Sequence, residues 1–328
     1  MTARSDPLPD LSVFTQVTVA VVGDVMLDEY VHGDVRRISA EAPVPILEAR
    51  RRSAMPGGAA NAAASIAALG GGATIVGCVG DDGAGSSVRD LADAAGIDAS
   101  RLVVDPGRDT TVKTRVVARG QQIVRIDHEA PRTLSGGVRR DLVRAARRAA
   151  EQADAVVISD YDKGVVDDEL VQVVVEAAAD KPVVVDPKRP DLSAYRGATV
   201  VTPNTAELER AVGYPCPTVD VAVGAARSLL DGLGGAALLV TLGPLGMVLV
   251  ARGSEPFHAP ARARTVYDVT GAGDTVVGAL ALALAGGFTP EAAVQVSSAA
   301  AAVAVTKAGT ATVTVPELDT ELTGGAGR

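Results

Sequence analysis

Tryptophan is absent from this 328-residue chain, and only three phenylalanines and five tyrosines stand in for it. An interior of this size cannot be built around rings, so Ala, Val, Leu and Gly must fill it. Two cysteines, Cys78 and Cys216, are too few for a disulfide framework or a zinc site. Three scattered histidines add no metal cluster. Basic excess is missing too: the net charge is −9, which excludes the basic face that a nucleic-acid partner needs. The run Arg50-Arg51-Arg52 is short, lies close to Glu48, and reads as a solvated face. No apolar run reaches the ~18 residues of a membrane span, the longest lying near 276–287. The N-terminus lacks a basic-then-apolar leader pattern. The expectation is a cytoplasmic protein without membrane or nucleic-acid partners.

What is present is apolar and periodic. Hydrophobic residues make up 47% of the chain and charged ones 22%, ample for a large core. Short Val/Ile-rich runs at 17–22, 74–79, 155–159, 183–186, 200–202, 237–241 and 247–251 predict strands. Ala-rich stretches at 59–69, 86–95, 137–152, 168–178, 219–230, 275–284 and 290–305 predict helices between and after them. Near-continuous apolar strands alternating with helices predict an α/β fold, a mostly parallel sheet covered on both faces. Ligands of such sheets bind beyond the carboxyl ends of the strands. Segments 30–48 and 111–127 break the alternation: they read as extended chain with no helix between, a small β-sheet lid over the strand ends. One large unit over 13–317 is expected, with tails at 1–12 and 318–328 predicted to be disordered.

Five clusters could carry chemistry. Gly271-Ala272-Gly273-Asp274 opens an apolar helix. A glycine turn feeding a helix start leaves amide donors free for an anion, and the carboxylate beside it can take a proton. Its place near the C-terminus and its spacing exclude a dinucleotide fingerprint, and no Lys-Ser or Lys-Thr follows to make a Walker loop. Asp24 and Asp28 follow the first strand, and carboxylates suit sugar hydroxyls. Gly57-Gly58 lets backbone approach a ligand closely, with Asn61 as donor and acceptor at the next helix start. Asn204 and Glu207 have capping-box spacing and could also act through Mg²⁺-bound water, with Lys188 as a contact to nucleotide phosphate. Thr241, Gly243 and Gly246 mark a glycine-rich hairpin that could wall a nucleotide site. Each cluster also has a plain structural reading as a cap or turn.

Together these motifs resemble the ribokinase-like sugar kinases, the PfkB family, over about residues 15–316. Gly57-Gly58-Ala59-Ala60-Asn61 and Asp268-Val269-Thr270-Gly271-Ala272-Gly273-Asp274 look like its two signatures. Within the family, Gly23-Asp24-Val25-Met26-Leu27-Asp28-Glu29-Tyr30, Arg37-Ile38-Ser39-Ala40-Glu41-Ala42-Pro43-Val44-Pro45 and Ser159-Asp160-Tyr161-Asp162-Lys163-Gly164 are similar to D-β-D-heptose 7-phosphate kinases. So are Val185-Asp186-Pro187-Lys188 and Thr202-Pro203-Asn204-Thr205-Ala206-Glu207.

The resemblance implies a three-layer αβα sandwich and transfer of the ATP γ-phosphoryl to the anomeric hydroxyl of D-glycero-β-D-manno-heptose 7-phosphate, on the way to ADP-heptose. It implies Asp274 as base and Gly271, Ala272 and Gly273 as anion hole. Lys188, Asn204, Glu207, Thr241, Gly243 and Gly246 would serve ATP and Mg²⁺, with no direct protein ligand to the metal. Asp24, Asp28, Gly57, Gly58 and Asn61 would hold the sugar. Arg37, Lys113, Arg115 and Arg125 are candidates for its distal phosphate, because phosphate recognition needs cationic donors. A homodimer through the lid sheet is implied, and the use of a monovalent cation is left open.

Two departures stand out. No nucleotidyltransferase segment follows the kinase region, so a separate enzyme is expected to act downstream. Asp162 replaces a small residue, either altering substrate preference or facing solvent. Two alternatives stay open: a PfkB-type kinase of ribose, fructose, fructose 6-phosphate or a nucleoside, and a non-catalytic sugar-phosphate sensor.

Overall fold

The chain folds as a body with a lid, and the computed structural model describes residues 10–129, 133–262 and 265–324. From the N-terminus, β1 (Thr18–Gly23) runs into a hairpin of two long strands, β2 (Val25–Ile38) and β3 (Pro45–Gly58). Next come α1 (Ala59–Ala68), β4 (Gly72–Gly80), α2 (Gly83–Ala94) and β5 (Asp98–Asp105). A second hairpin, β6 (Thr111–Ala118) and β7 (Gln121–His128), precedes α3 (Gly136–Gln152) and β8 (Ala155–Ser159). Then follow α4 (Asp168–Ala178), β9 (Val183–Asp186), β10 (Val200–Val201), α5 (Thr205–Val212), α6 (Val219–Leu229), β11 (Ala237–Thr241), β12 (Met247–Val250) and β13 (Phe257–Ala259). The chain closes with α7 (Ala272–Ala285), α8 (Pro290–Ala304) and α9 (Val315–Gly324).

Nine strands form one sheet in the order β13-β12-β11-β10-β9-β8-β1-β4-β5. It is parallel from β5 to β11; β12 runs against it, and β13, antiparallel to β12, returns to the common direction. The apolar runs are near-continuous because both faces are covered. In β1, Val19 and Val21 enter one buried cluster with α1, α7 and α8. Ala20 and Val22 enter a second, with α3, α4 and α6. Alternate side chains of one strand thus feed two cores, the consequence of a period of two between two helical layers. Among the described residues, no helix is long and apolar enough to cross a membrane.

The lid is a four-stranded sheet, β3-β2-β6-β7. It is larger than the sequence suggests. β2 starts at Val25 and β3 ends at Gly58, so Asp28, Gly57 and Gly58 lie on lid strands. The register places Asp28 opposite both Met55 and Lys113. Helix α9 corrects the tail expected from 318: Leu318 and Leu322 are buried against the first core. At the other end Leu11–Gln16 forms a 3-10 helix capped by Asp10. The remaining tail expectations, at 1–9 and 325–328, lie outside the described residues.

Candidate active site

The site is built on the start of α7. This helix is Ala/Leu/Val-rich and buried on nearly all sides, so packing fixes where its first turn points. Gly271 caps it at φ 77°, the left-handed region that glycine enters without strain. A Cβ there would stand 2.7 Å from Nδ2 of Asn61. Nothing lies within 4 Å of a Cβ at Gly273, so the space before the helix stays open. In this turn Ala272 N–H donates to the Val269 carbonyl (3.2 Å) and Thr275 N–H to that of Gly271 (3.0 Å). The amides of Gly273 and Asp274 have no backbone acceptor among the described residues. They are the orphan donors of a helix start, at the positive end of its dipole.

Asp274 is 4% exposed. Its Oδ2 accepts from Asn61 Nδ2 at 2.6 Å and its Oδ1 from the Tyr161 hydroxyl at 2.9 Å. Burial pushes its carboxyl up to about 6; the two donors hold it down, and the nearby charge of Asp28 adds to the rise. A carboxyl with that pKa is ionised at neutral pH yet basic enough to take a proton. Asn61 is buried in the first turn of α1, directly after the diglycine of β3.

Tyr161 is placed by Asp24. The Asp24 carboxylate is 1% exposed and accepts the backbone N–H groups of Tyr161 (2.8 Å), Lys163 (3.2 Å) and Val165 (3.2 Å). Burial pushes it up to about 6 against those three bonds. Asp24 was expected at the sugar; the structure puts it beneath loop 160–165, with both oxygens occupied. Asp162 in that loop is exposed, with φ 57°, the αL region that small polar residues tolerate best.

On the lid, Arg115 Nη1 donates to Asp28 Oδ1 at 2.6 Å, and both side chains are buried. The guanidinium also lies over the Tyr30 ring, 5.5 Å from its centre. The diglycine makes this approach feasible. A Cβ at Gly57 would meet the Met26 and Asp28 side chains at 2.9 and 3.0 Å, and one at Gly58 would meet the Asp24 carbonyl at 2.4 Å. Lys113 pairs with Asp127 (3.3 Å) and Glu129, and Arg125 with Asp127 (2.8 and 2.9 Å). Arg37 is not brought to this cluster. It is exposed near the far end of the β2–β3 hairpin, nine strand residues from Asp28, about 30 Å of extended chain.

The nucleotide-side candidates converge at the ends of β9, β10 and β11. Asn204 and Glu207 do form a capping box: Asn204 Oδ1 accepts from Glu207 N–H (2.9 Å) and Glu207 Oε2 from Asn204 N–H (3.0 Å). Lys188 Nζ reaches the other Glu207 oxygen at 3.1 Å. Asn204 bridges to Thr241, and Thr241 N–H donates to the Pro203 carbonyl at 3.0 Å. Gly246 has a packing reason: at φ 91° a Cβ would lie 2.1 Å from the Ala259 carbonyl oxygen. Gly243, at φ 55°, faces open space. No group of three or more metal-ligating side chains exists among the described residues. Glu207, with one oxygen in the cap and the other beside Lys188, fits a hydrated Mg²⁺ contacted through water, since this ion dehydrates reluctantly.

Sequence reasoning did not single out Tyr161 or Asp186. Asp186 ends β9 in register with Ser159, and burial together with the charges of Asp274 and Glu207 raises its carboxyl well above the ordinary range. Its legible signals were its place at a strand end and the run Val185-Asp186-Pro187-Lys188.

The comparisons agree with this architecture. Residues 17–318 match the model of the pfkB family carbohydrate kinases. The chain is 49% identical over 303 residues to the bifunctional protein HldE of Azorhizobium caulinodans, and 45% over 317 residues to that of Halorhodospira halophila. These alignments cover 92% and 97% of the chain but 63% and 66% of the relatives, so the chain spans about two thirds of their length or slightly less. In fold it is similar to Escherichia coli phosphofructokinase-2 in complex with substrates and products (TM-score 0.78, 24% identity, 94% of this chain and 98% of that one). It is also similar to Arabidopsis thaliana ribokinase complexed with ribose and ATP (TM-score 0.74, 24% identity, 93% and 98%). The fold is therefore ribokinase-like, and the chain belongs to the pfkB family of carbohydrate kinases.

Proposed function

We propose that this chain transfers the γ-phosphoryl group of ATP to the anomeric hydroxyl of D-glycero-β-D-manno-heptose 7-phosphate, giving the 1,7-bisphosphate. The observation that carries the kinase chemistry is Asp274: a buried carboxyl with a pKa of about 6, set between the lid carboxylate Asp28 and the Lys188/Glu207 side. The acceptor O–H bond breaks and its proton passes to Asp274. The freed oxygen forms a bond to the γ-phosphorus in line as the bond to ADP breaks. The open amides of Gly273 and Asp274 face the charge on the transferring group. Asn61 and Tyr161 hold the base in place, and Asp24 holds Tyr161. Lys188 neutralises nucleotide phosphate, while Thr241, Gly243 and Gly246 shape the wall beside it. Asn204 and Glu207 would hold Mg²⁺ through water, and the ion would supply charge neutralisation of the phosphates.

The heptose assignment rests on the 41–49% identity to the HldE proteins and on the lid cations. The nucleotidyl transfer toward ADP-heptose requires a site outside the residues described here, joined to the kinase or separate. A second copy is proposed to cover the outer lid, where Ile126 (57%) and Val124 (48%) are exposed on β7. Sedimentation of an Ile126→Lys variant tests this: a monomer is expected where the parent is a dimer.

The deciding experiment is ATP-coupled turnover on heptose 7-phosphate, sedoheptulose 7-phosphate, fructose 6-phosphate, ribose, fructose and adenosine. Preference for heptose 7-phosphate is expected. Preference for another sugar would discard the heptose assignment, and sugar binding without turnover on any acceptor would make the protein a sensor.

A further inference from the structure

Four side chains of the lid and its exit, Lys113, Arg125, Asp127 and Glu129, and one of the body, Lys163, form a charge cluster to which no step of the phosphoryl transfer above is assigned. Glu129 follows β7, and its two carboxylate oxygens are divided between two lysines from different parts of the molecule. Lys113 comes from lid strand β6, and Lys163, at 2.7 Å, from loop 160–165 of the body. Lys113 also meets Asp127, which holds Arg125. Lys113, Lys163 and Glu129 are 13%, 21% and 21% exposed, so the cluster is sheltered but within reach of solvent. The ion pairs hold Glu129 below the ordinary carboxylate range despite partial burial, which raises it. The register puts Lys113 directly opposite Asp28, and loop 160–165 carries Tyr161 to the base. The lysine pair therefore lies beside the acceptor pocket.

We propose that Glu129 is an internal stand-in for the acceptor's distal phosphate, and that Lys113 and Lys163 are the residues that select a phosphorylated sugar. This rests on the kinase reading above. Charge balance favours an exchange. Three cations (Lys113, Lys163, Arg125) face two carboxylates (Asp127, Glu129). With Glu129 turned toward solvent, two positive charges remain uncompensated, the charge of a phosphate monoester near neutral pH, about −1.5 to −2. With Glu129 in place, the same phosphate would meet a like charge. The exchange keeps the lid–body bridge, because the phosphate takes both lysines in place of the carboxylate. An unphosphorylated sugar brings no anion for this exchange and leaves Glu129 where it is.

Inorganic phosphate, titrated calorimetrically into the full chain, is the probe. Glu129→Gln removes the competing anion and should tighten phosphate binding about tenfold, the scale of one charge-assisted hydrogen bond. Lys163→Met should weaken binding by a similar factor. In turnover, Glu129→Gln should lower KM for the phosphorylated acceptor relative to its unphosphorylated analogue. If Glu129 were only a clasp between lid and body, its loss would leave phosphate affinity unchanged or reduced, and that result overturns the proposal. The calorimetric readout needs no turnover: a tenfold gain in an enzyme inert on every acceptor would uphold the anion site and count against the kinase reading instead.

Discussion

Three carboxyls set within the body and two at the outer edge of the lid are held in opposite ways. In the body, Asp274, Asp24 and Asp186 lie at or just past strand ends or helix starts, among apolar layers, and burial pushes all three upward. The partners of Asp274 and Asp24 are neutral donors: an amide and a phenol for the first, backbone N–H groups for the second. In the lid, burial alone would raise Asp127 and Glu129, but Arg125, Lys113 and Lys163 more than offset it, and both end below the ordinary range. The reason is packing. The body has two buried clusters with a sheet between them, whereas every residue of β7 is exposed. A core can hold a carboxyl that is ready to accept a proton; the exposed edge of the lid keeps Asp127 and Glu129 ionised beside cations, while Asp28, buried deeper in the same sheet, is raised despite Arg115. Under the proposed function, proton transfer would fall to the first region and anion recognition to the second.

The largest expected effect breaks the comparison on the body side. Asp274→Asn should lower turnover by at least 10²–10⁴, the range of general-base catalysis, while ATP still binds. Turnover equal to the parent's would remove Asp274 as the base. The same variant should be more stable than the parent at pH 8. A folded pKa of about 6 against 3.8 unfolded means the folded state binds the proton more tightly. This group's contribution is greatest below pH 3.8 and is lost as pH rises through about 6. The rise corresponds to ~3 kcal/mol. Thermal melts should show the variant several degrees above the parent at pH 8 and level with it near pH 4.

On the lid side, Arg115→Met should cost about 3–5 kcal/mol of local stability, since it leaves Asp28 buried without its cation. Amide exchange across 25–58 should speed up while β8 and β9 stay protected. Adding Asp28→Leu should recover most of the loss. Equal loosening of lid and body would show that the two are one cooperative unit.

The regions also differ in how far the sequence reveals them. Strands β8, β9 and β11 are legible to the residue because a strand buried on both faces is a plain apolar run. The edge strand β5 is not: Asp98-Ala-Ser-Arg-Leu-Val-Val-Asp105 mixes exposed and buried positions without strict alternation. Helix α9 hides because its short segment carries only two buried leucines. Gly271 and Asp274 are legible since a glycine turn and an acid before an apolar helix are local signals. Tyr161 is not, because its bond to Asp274 spans 113 residues of sequence. The same holds for the Lys113–Glu129–Lys163 cluster, which joins a strand, a loop and the lid-to-body connection. Arg37 shows the converse: suitable chemistry on a strand does not reveal that the residue lies at the far end of a long hairpin from Asp28.

A smaller effect sharpens the body's half. If Asp274 is the base, kcat/KM should rise with pH through about 6 and then level off, because the carboxyl must be ionised to accept a proton. Tyr161→Phe removes a donor that lowers this pKa, so the rising limb should move upward by roughly one pH unit. A limb that stays in place would mean that Tyr161 does not tune the base.

The smallest expected effect is on the body's outer surface, where ion pairs also occur. Arg144 and Asp141 pair one turn apart on α3, each 60% exposed. Solvent screens such a pair, and fixing two long side chains opposes it, so Arg144→Ala should change stability by no more than ~0.5 kcal/mol. The contrast with Arg115 is then one of burial, not of pairing: the same charge types matter where the thin sheet shelters them and not where water reaches both. A loss above ~1 kcal/mol at Arg144 would mean that a pair open to water carries as much as a sheltered one, and burial would no longer account for the contrast with Arg115.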